Sequence, residues 1–137
     1  MALLEYIKSR RMFGTDGVRD VANRGLMTPE TAMRLGRAFT VFLLNRGTHK
    51  PKVAVGRDTR CSGQMIESAL SAGITSAGGN VYAIGEIPTP GVSYSIAAGS
   101  FDGGAVISAS HNPAEYNGIK YFDGKGFKLS DQEEAEI

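Results

Sequence analysis

The feature that most constrains this chain is an alternation. Short apolar runs rich in β-branched residues, Val53-Ala54-Val55, Val81-Tyr82-Ala83-Ile84 and Ala105-Val106-Ile107, are separated by segments of helical periodicity. An apolar run of that length, bounded by turn residues, fits a buried strand and is too short for a helix. Strand, helix, strand, helix in that order implies parallel βαβ units with right-handed crossovers. The expectation is an α/β fold: a three-layer α/β/α domain with a mixed, mainly parallel β-sheet.

The helices are marked at their ends. Thr28-Pro29-Glu30 reads as N-cap, first helical residue and first-turn acid. Ala32, Leu35, Phe39 and Phe42 then share one face, and Gly47 is the stop. Ser62 is expected to cap a second helix, with Ile66, Leu70, Gly73 and Ala77 on one face. The small residues Ala69, Ala72, Gly73 and Ser76 would let that helix approach the sheet closely, and Gly78-Gly79 ends it. Pro88-Thr89-Pro90 predicts a third helix to about Ala98, with Thr89 as N-cap and Pro90 at the first helical position. Met12-Phe13 reads as a short strand before the turn Gly14-Thr15-Asp16-Gly17. Val18 begins an extended segment from which Arg19 projects. Asn117-Gly118 is the strongest short turn signal in the chain, and Ile119-Lys120-Tyr121-Phe122 would return from it as an antiparallel strand. Ser130 opens a last helix that the chain end cuts short. Residues 1–11 read as an amino-terminal extension, and 12–137 as one domain.

A length of 137 residues supports one domain, and a hydrophobic share of 42% supports a core. The net charge of +1 gives no general attraction to nucleic acid or to an acidic membrane surface. No apolar run approaches the ~20 residues of a membrane span, and the amino terminus does not read as a secretory signal. The single cysteine, Cys61, allows no internal disulfide and fits a reducing compartment. Cys61 is expected to be a small buried residue rather than a nucleophile. A cytoplasmic protein with no nucleic-acid or membrane partner is the expectation.

Chemistry concentrates where strands end. After Ala105-Val106-Ile107 the polarity switches to Ser108-Ala109-Ser110-His111-Asn112-Pro113. Pro113 cannot extend a ladder and disfavours helix at Asn112, so Ser110 and His111 lie on a loop at a strand's carboxyl end. In α/β sheets ligands bind at that edge. Cationic residues recur at other strand ends, at Arg19 and at Arg57 and Arg60, and Lys120 follows the loop. A hydroxyl ringed by cations points to phosphate chemistry more than to acyl transfer. Asp58 between two arginines reads as a salt-bridged turn, or as a frame for the wall of the site. Thr89 reads as a cap, or as a contact at a helix amino end that attracts anions.

Four segments in order resemble one family. Phe13-Gly14-Thr15-Asp16-Gly17-Val18-Arg19, Val55-Gly56-Arg57-Asp58-Thr59-Arg60-Cys61-Ser62-Gly63, Pro88-Thr89-Pro90, and Ser108 to Pro113 with Tyr116-Asn117-Gly118-Ile119-Lys120 are similar to segments of the α-D-phosphohexomutases. The resemblance runs from about Met12 to the chain end and covers that family's first domain, in its phosphoglucosamine mutase form. It implies transfer of a phosphoryl group between O1 and O6 of a hexose through a phosphoserine and a bisphosphorylated sugar. Glucosamine 6-phosphate to glucosamine 1-phosphate is the first expectation. Asp20, where the family usually has glycine, and Ala114-Glu115-Tyr116 keep the phosphomannomutase/phosphoglucomutase branch as the alternative. An inert module that binds sugar phosphates is the second.

By the same resemblance Ser110 is the phosphorylated serine, and Arg19 and Lys120 face its phosphate. His111 either orients the phosphoserine or transfers protons. Thr89 and Asn112 are expected to contribute to phosphate or substrate binding. Ser108 is expected to be structural. The family's Mg2+ is held by an Asp-rich loop that does not occur here, which leaves Ser110 as the one metal ligand expected from this chain. The implied partners are the hexose phosphate substrate and the remaining domains of the same enzyme, absent from these residues. The chain alone is expected to be inactive.

Overall fold

Five strands and four helices follow one another in residues 12–137, the part described by the computed structural model. The expected extension at 1–11 lies outside the described residues. In chain order the elements are β1 (Val18–Val21), α1 (Pro29–Asn45), β2 (Lys52–Arg57), α2 (Gly63–Ser76), β3 (Asn80–Glu86), α3 (Thr89–Ala98), β4 (Gly103–Ile107), β5 (Tyr116–Asp123) and α4 (Asp131–Ala135). They form a single five-stranded sheet in the order β1-β5-β4-β2-β3. The sheet is mixed. β2 pairs in parallel with β3 and β4, whereas β5 runs antiparallel to β4 and β1. Helices α1 and α2 lie on one face and α3 on the other, which gives the three layers.

Alternation along each strand sorts residues between these faces. Val53, Val55, Ala105, Ile107, Ile119 and Tyr121 enter the core under α1 and α2. Ala54, Val106 and Phe122, their immediate neighbours, pack with Val92 and Ile96 of α3. The first core is dense in aromatic rings. Phe39 stacks on Tyr121 at 4.1 Å between ring centres, and Phe13 lies 6.1 Å from the same ring. Full burial of each such side chain stabilises by ~1.5–3 kcal/mol.

Helix ends follow the chemistry of their residues. The Thr28 hydroxyl accepts from the Thr31 amide at 3.2 Å, and Gly47 leaves α1 with φ 91°. Ser130 and Glu133 form a capping box at α4. Three end assignments change. The first amide bonds of α3 go to the Pro88 carbonyl, so Pro88 is the N-cap and Thr89 already sits in the first turn. Ser62 precedes α2 as expected, yet its hydroxyl caps nothing; it accepts from the Asn117 amide at 2.8 Å. Met12-Phe13 forms no strand: the loop closes by the Gly14 amide donating to Gly17 O, and Phe13 packs into the core.

Asn117-Gly118 is not a turn. Both residues lie within β5, opposite Asp20 and Arg19 of β1. Glycine is needed there for close approach, because a Cβ at Gly118 would sit 2.7 Å from Val18 O and 2.8 Å from Ser108 O. The fully buried Asn117 holds the Gly118 amide through its own Oδ1 and reaches Ser62 through Nδ2. The small residues of α2 also act differently from the expectation. They admit helix α1 rather than the sheet: a Cβ on Gly73 would meet Met33 O at 2.0 Å, and one on Gly36 would meet Leu70 O at 2.2 Å. Cys61 is exposed, not buried, because the turn before α2 directs Arg60 inward and leaves Cys61 outside.

Candidate active site

The carboxyl ends of the parallel strands β2, β3 and β4 carry three connections to one edge of the sheet. After β2 comes the turn with Asp58, Arg60 and Ser62. After β3 comes the start of α3 with Thr89. After β4 comes the loop with Ser110, His111 and Asn112. Ser110 is exposed and has φ 55°, a left-handed conformation uncommon for serine. Its Oγ lies 3.3 Å from His111 Nδ1, within reach of a hydrogen bond in either direction. Its amide donates to Ser108 Oγ at 3.0 Å, which gives Ser108 the structural part expected of it. Asn112 stands half-buried on the same loop.

Arg60 holds this loop from beneath. Its Nη1 donates to the carbonyl oxygens of Pro113 at 2.6 Å and Tyr116 at 3.1 Å. Its Nη2 donates to those of Ser110 and Asn112, each at 2.9 Å. Asp58 orients the guanidinium by accepting from Nε at 3.0 Å. The salt-bridged turn and the frame are therefore one arrangement.

The ring of cations is narrower than the sequence implied. Arg57 pairs with Glu67 at 3.3 Å and Glu86 at 3.0 Å, and Arg60 is consumed by the loop and Asp58. Arg19 and Lys120 remain. Arg19 pairs with Gly118 across the β1–β5 ladder, and Lys120 is two residues further along β5, on the same face. Diagonal neighbours of this kind are within reach of long side chains. Among the described residues the Lys120 side chain makes no ion pair or hydrogen bond, and that of Arg19 has one distant partner, Asp16 at 3.8 Å. Arg19 Nε is buried with no hydrogen-bond partner among the described residues. Beside it opens a pocket of about 400 Å3, lined by Met12, Gly14, Thr15, Asp16, Gly17 and Arg19. That pocket takes in neither Ser110 nor Lys120. Thr89 is half-buried at the rim, and its hydroxyl caps nothing.

Magnesium is not provided for. Among the described residues no group of three or more His, Cys, Asp or Glu gathers to hold a metal ion. Magnesium takes octahedral oxygen ligation, usually with carboxylates. Near the loop Asp58 is engaged by Arg60, and Ser110 offers a single oxygen. The residues present do not complete such a site. No helix among the described residues is long and apolar enough to cross a membrane.

Sequence reasoning missed the Ser62–Asn117 link, which ties the α2 turn to β5. No local signal marks it, because the two partners are 55 positions apart in the chain.

Comparison with known proteins adds three findings. Residues 10–137 match the model of phosphoglucomutase/phosphomannomutase, alpha/beta/alpha domain I. The phosphoglucosamine mutase of Clostridium acetobutylicum is 59% identical over 127 residues, and that of Thermoanaerobacter sp. X514 is 56% identical; each match covers 93% of this chain. The chain spans 28% of the length of these curated relatives. Among solved structures, a phosphoglucomutase/phosphomannomutase family protein from Burkholderia thailandensis superposes with a TM-score of 0.80 at 30% identity, covering 92% of this chain and 29% of that one.

Proposed function

The chain belongs to the phosphoglucomutase/phosphomannomutase family, as its α/β/α domain I, and from that premise we propose that it carries the phosphoserine of a hexose-phosphate mutase. Ser110 is the phosphoryl carrier. The observation that carries this reading is the presentation of its hydroxyl: exposed on a strand-end loop, 3.3 Å from an imidazole, on a backbone pinned from below by one guanidinium. A phosphoserine is a dianion near neutral pH, and Arg19 and Lys120 are the uncommitted cations on the neighbouring strands.

The reaction runs in two transfers. The phosphoryl group leaves Ser110 Oγ for O1 of a hexose 6-phosphate; the P–O bond to serine breaks as the P–O1 bond forms. The proton lost by the sugar hydroxyl is returned to the serine oxygen, with His111 placed to carry it. The bisphosphorylated sugar then turns and gives its 6-phosphoryl group back to Ser110, leaving the hexose 1-phosphate. Arg19 and Lys120 hold the phosphoserine in this scheme, and Thr89 and Asn112 stand at the rim for the substrate. A magnesium ion would neutralise charge on the transferring phosphoryl group; from this chain Ser110 could offer it one oxygen, and its other ligands would have to come from outside the described residues. The identity to relatives named phosphoglucosamine mutase supports glucosamine phosphate as the substrate.

The test is a chimera in which this chain replaces the matching segment of the Clostridium acetobutylicum relative. The chimera is expected to interconvert the glucosamine phosphates. Its Ser110→Ala form should lose on the order of a thousandfold or more in kcat, as nucleophile removals do. A folded, inactive chimera, or a Ser110→Ala form with near-normal turnover, sinks the reading.

A further inference from the structure

We infer that Arg60 is a positioning residue for Ser110: its guanidinium fixes the left-handed backbone that aims the serine hydroxyl outward. The inference rests on the proposed role of Ser110 and goes beyond it, because the donors of Arg60 are spent on Asp58 and the loop carbonyls.

Both peptide groups flanking Ser110 are pinned. On the amino side its amide donates to Ser108 Oγ at 3.0 Å. On the carboxyl side its carbonyl accepts from Arg60 Nη2 at 2.9 Å. Fixing the two planes fixes φ and ψ, and therefore the direction of the Cα–Cβ bond. The value this imposes, φ 55°, is one serine seldom adopts unless its surroundings dictate it. The same guanidinium collects the carbonyls of Asn112, Pro113 and Tyr116, so four negative dipole ends of the loop converge on one cation. With those carbonyls turned inward, their negative ends are kept from the side where the phosphoserine would stand. Arg60 is itself held rigid: only 11% of its side chain is exposed, and Asp58 grips Nε while also accepting from the Arg60 amide.

A planar fork of donors is essential to this geometry, and an ammonium cannot reproduce it. Arg60→Lys keeps the charge and loses the fork. In the full chain, amide hydrogen exchange at Ser110 is expected to rise about tenfold or more in Arg60→Lys, while exchange at Val106 and Ile119 in the sheet stays unchanged. The three-bond coupling of the Ser110 amide should also leave the value set by a positive φ. In the chimera, Arg60→Lys should lower kcat about tenfold or more with KM within about twofold. An unchanged Ser110 amide, or Ser110 and sheet amides moving together, overturns the inference. Should Arg60→Lys not fold, Asp58→Asn leaves the guanidinium without its orienting carboxylate, and the same loop-only change is expected. If the unsubstituted chimera has no turnover, the proposed function falls, while the amide measurement still decides the part played by Arg60.

Discussion

The two faces of the sheet differ in what they bury. Under α1 and α2 lies a large core that takes residues from all the strands and the rings of Phe13, Phe39, Phe42 and Tyr121. Under α3 lies a small one, built on Ala54, Val92, Ile96, Val106 and Phe122. Helix α3 packs chiefly on β2 and β4, with Phe122 of β5 in the same core. Arg19 of β1 and Lys120 of β5 lie on that face. One step along a strand separates the two environments: Val18 and Ile119 are buried in the large core, whereas Arg19 and Lys120 lie on the opposite face. In the proposed scheme the sheet's period of two keeps the phosphate-facing cations out of the large core, while only the small core shares their face.

That division breaks most visibly if the crowded face is cut. Phe39→Ala should cost ~3–5 kcal/mol, as removal of a buried ring does, and urea denaturation of the chain measures it. A cost below about 1 kcal/mol, within the range of an ordinary surface change, would mean that the first core does not dominate stability.

A smaller effect is expected on the open face. Arg19→Ala and Lys120→Ala, placed in the chimera, should each lower kcat/KM by the equivalent of ~1.5–3 kcal/mol, the worth of a charge-assisted contact. The melting temperature should move little, since neither side chain supports the core. If both variants lose as much fold as activity, the division of labour between the faces is refuted.

The smallest effect sharpens the account of the core itself. The Tyr121 hydroxyl is buried with no hydrogen-bond partner, and burial pushes its pKa upward. Tyr121→Phe should therefore be neutral or stabilising by up to about 1 kcal/mol. The sign of the pH effect follows. The unfolded phenol ionises near its ordinary value, about 10, while the folded one stays protonated. Above that pH the native state binds more protons, so stability falls as pH rises, by up to about 1.4 kcal/mol per pH unit. Tyr121→Phe should flatten that slope in alkaline denaturation curves; an unchanged slope would place its origin elsewhere.

The strands at Val53, Val81 and Ala105 and the helix at Thr28 were legible because each carries its own pattern and its own punctuation. The loop position of Ser110 and His111 was legible for a similar reason, since the change from Ile107 to a polar loop is local. What could not be read locally was any contact between distant segments. Ser62 looked like a cap because cap chemistry is a local rule, yet its hydroxyl serves Asn117, 55 positions away. Asn117-Gly118 looked like a turn because the pair usually is one; the demand for glycine came instead from Val18 O and Ser108 O on neighbouring segments. In the sequence Arg57 and Arg60 count among the cations at the strand ends, and Asp58 between them reads as a salt-bridged turn or a frame. Their charges are answered by Glu67, Glu86, Asp58 and four loop carbonyls, partners that only the folded chain brings together.

The crossing of α1 over α2 meets backbone to backbone, at Gly36 against Leu70 and at Gly73 against Met33. Such a joint has no rotamers to absorb a displacement. Where two helices touch through long side chains, a shift of one is damped by repacking; here it passes undiminished to the other. Helix α2 begins directly after the turn that bears Arg60, so the crossing with α1 and the grip on the serine loop belong to one continuous stretch of chain. A single methyl group at Gly73 would act there as a shim.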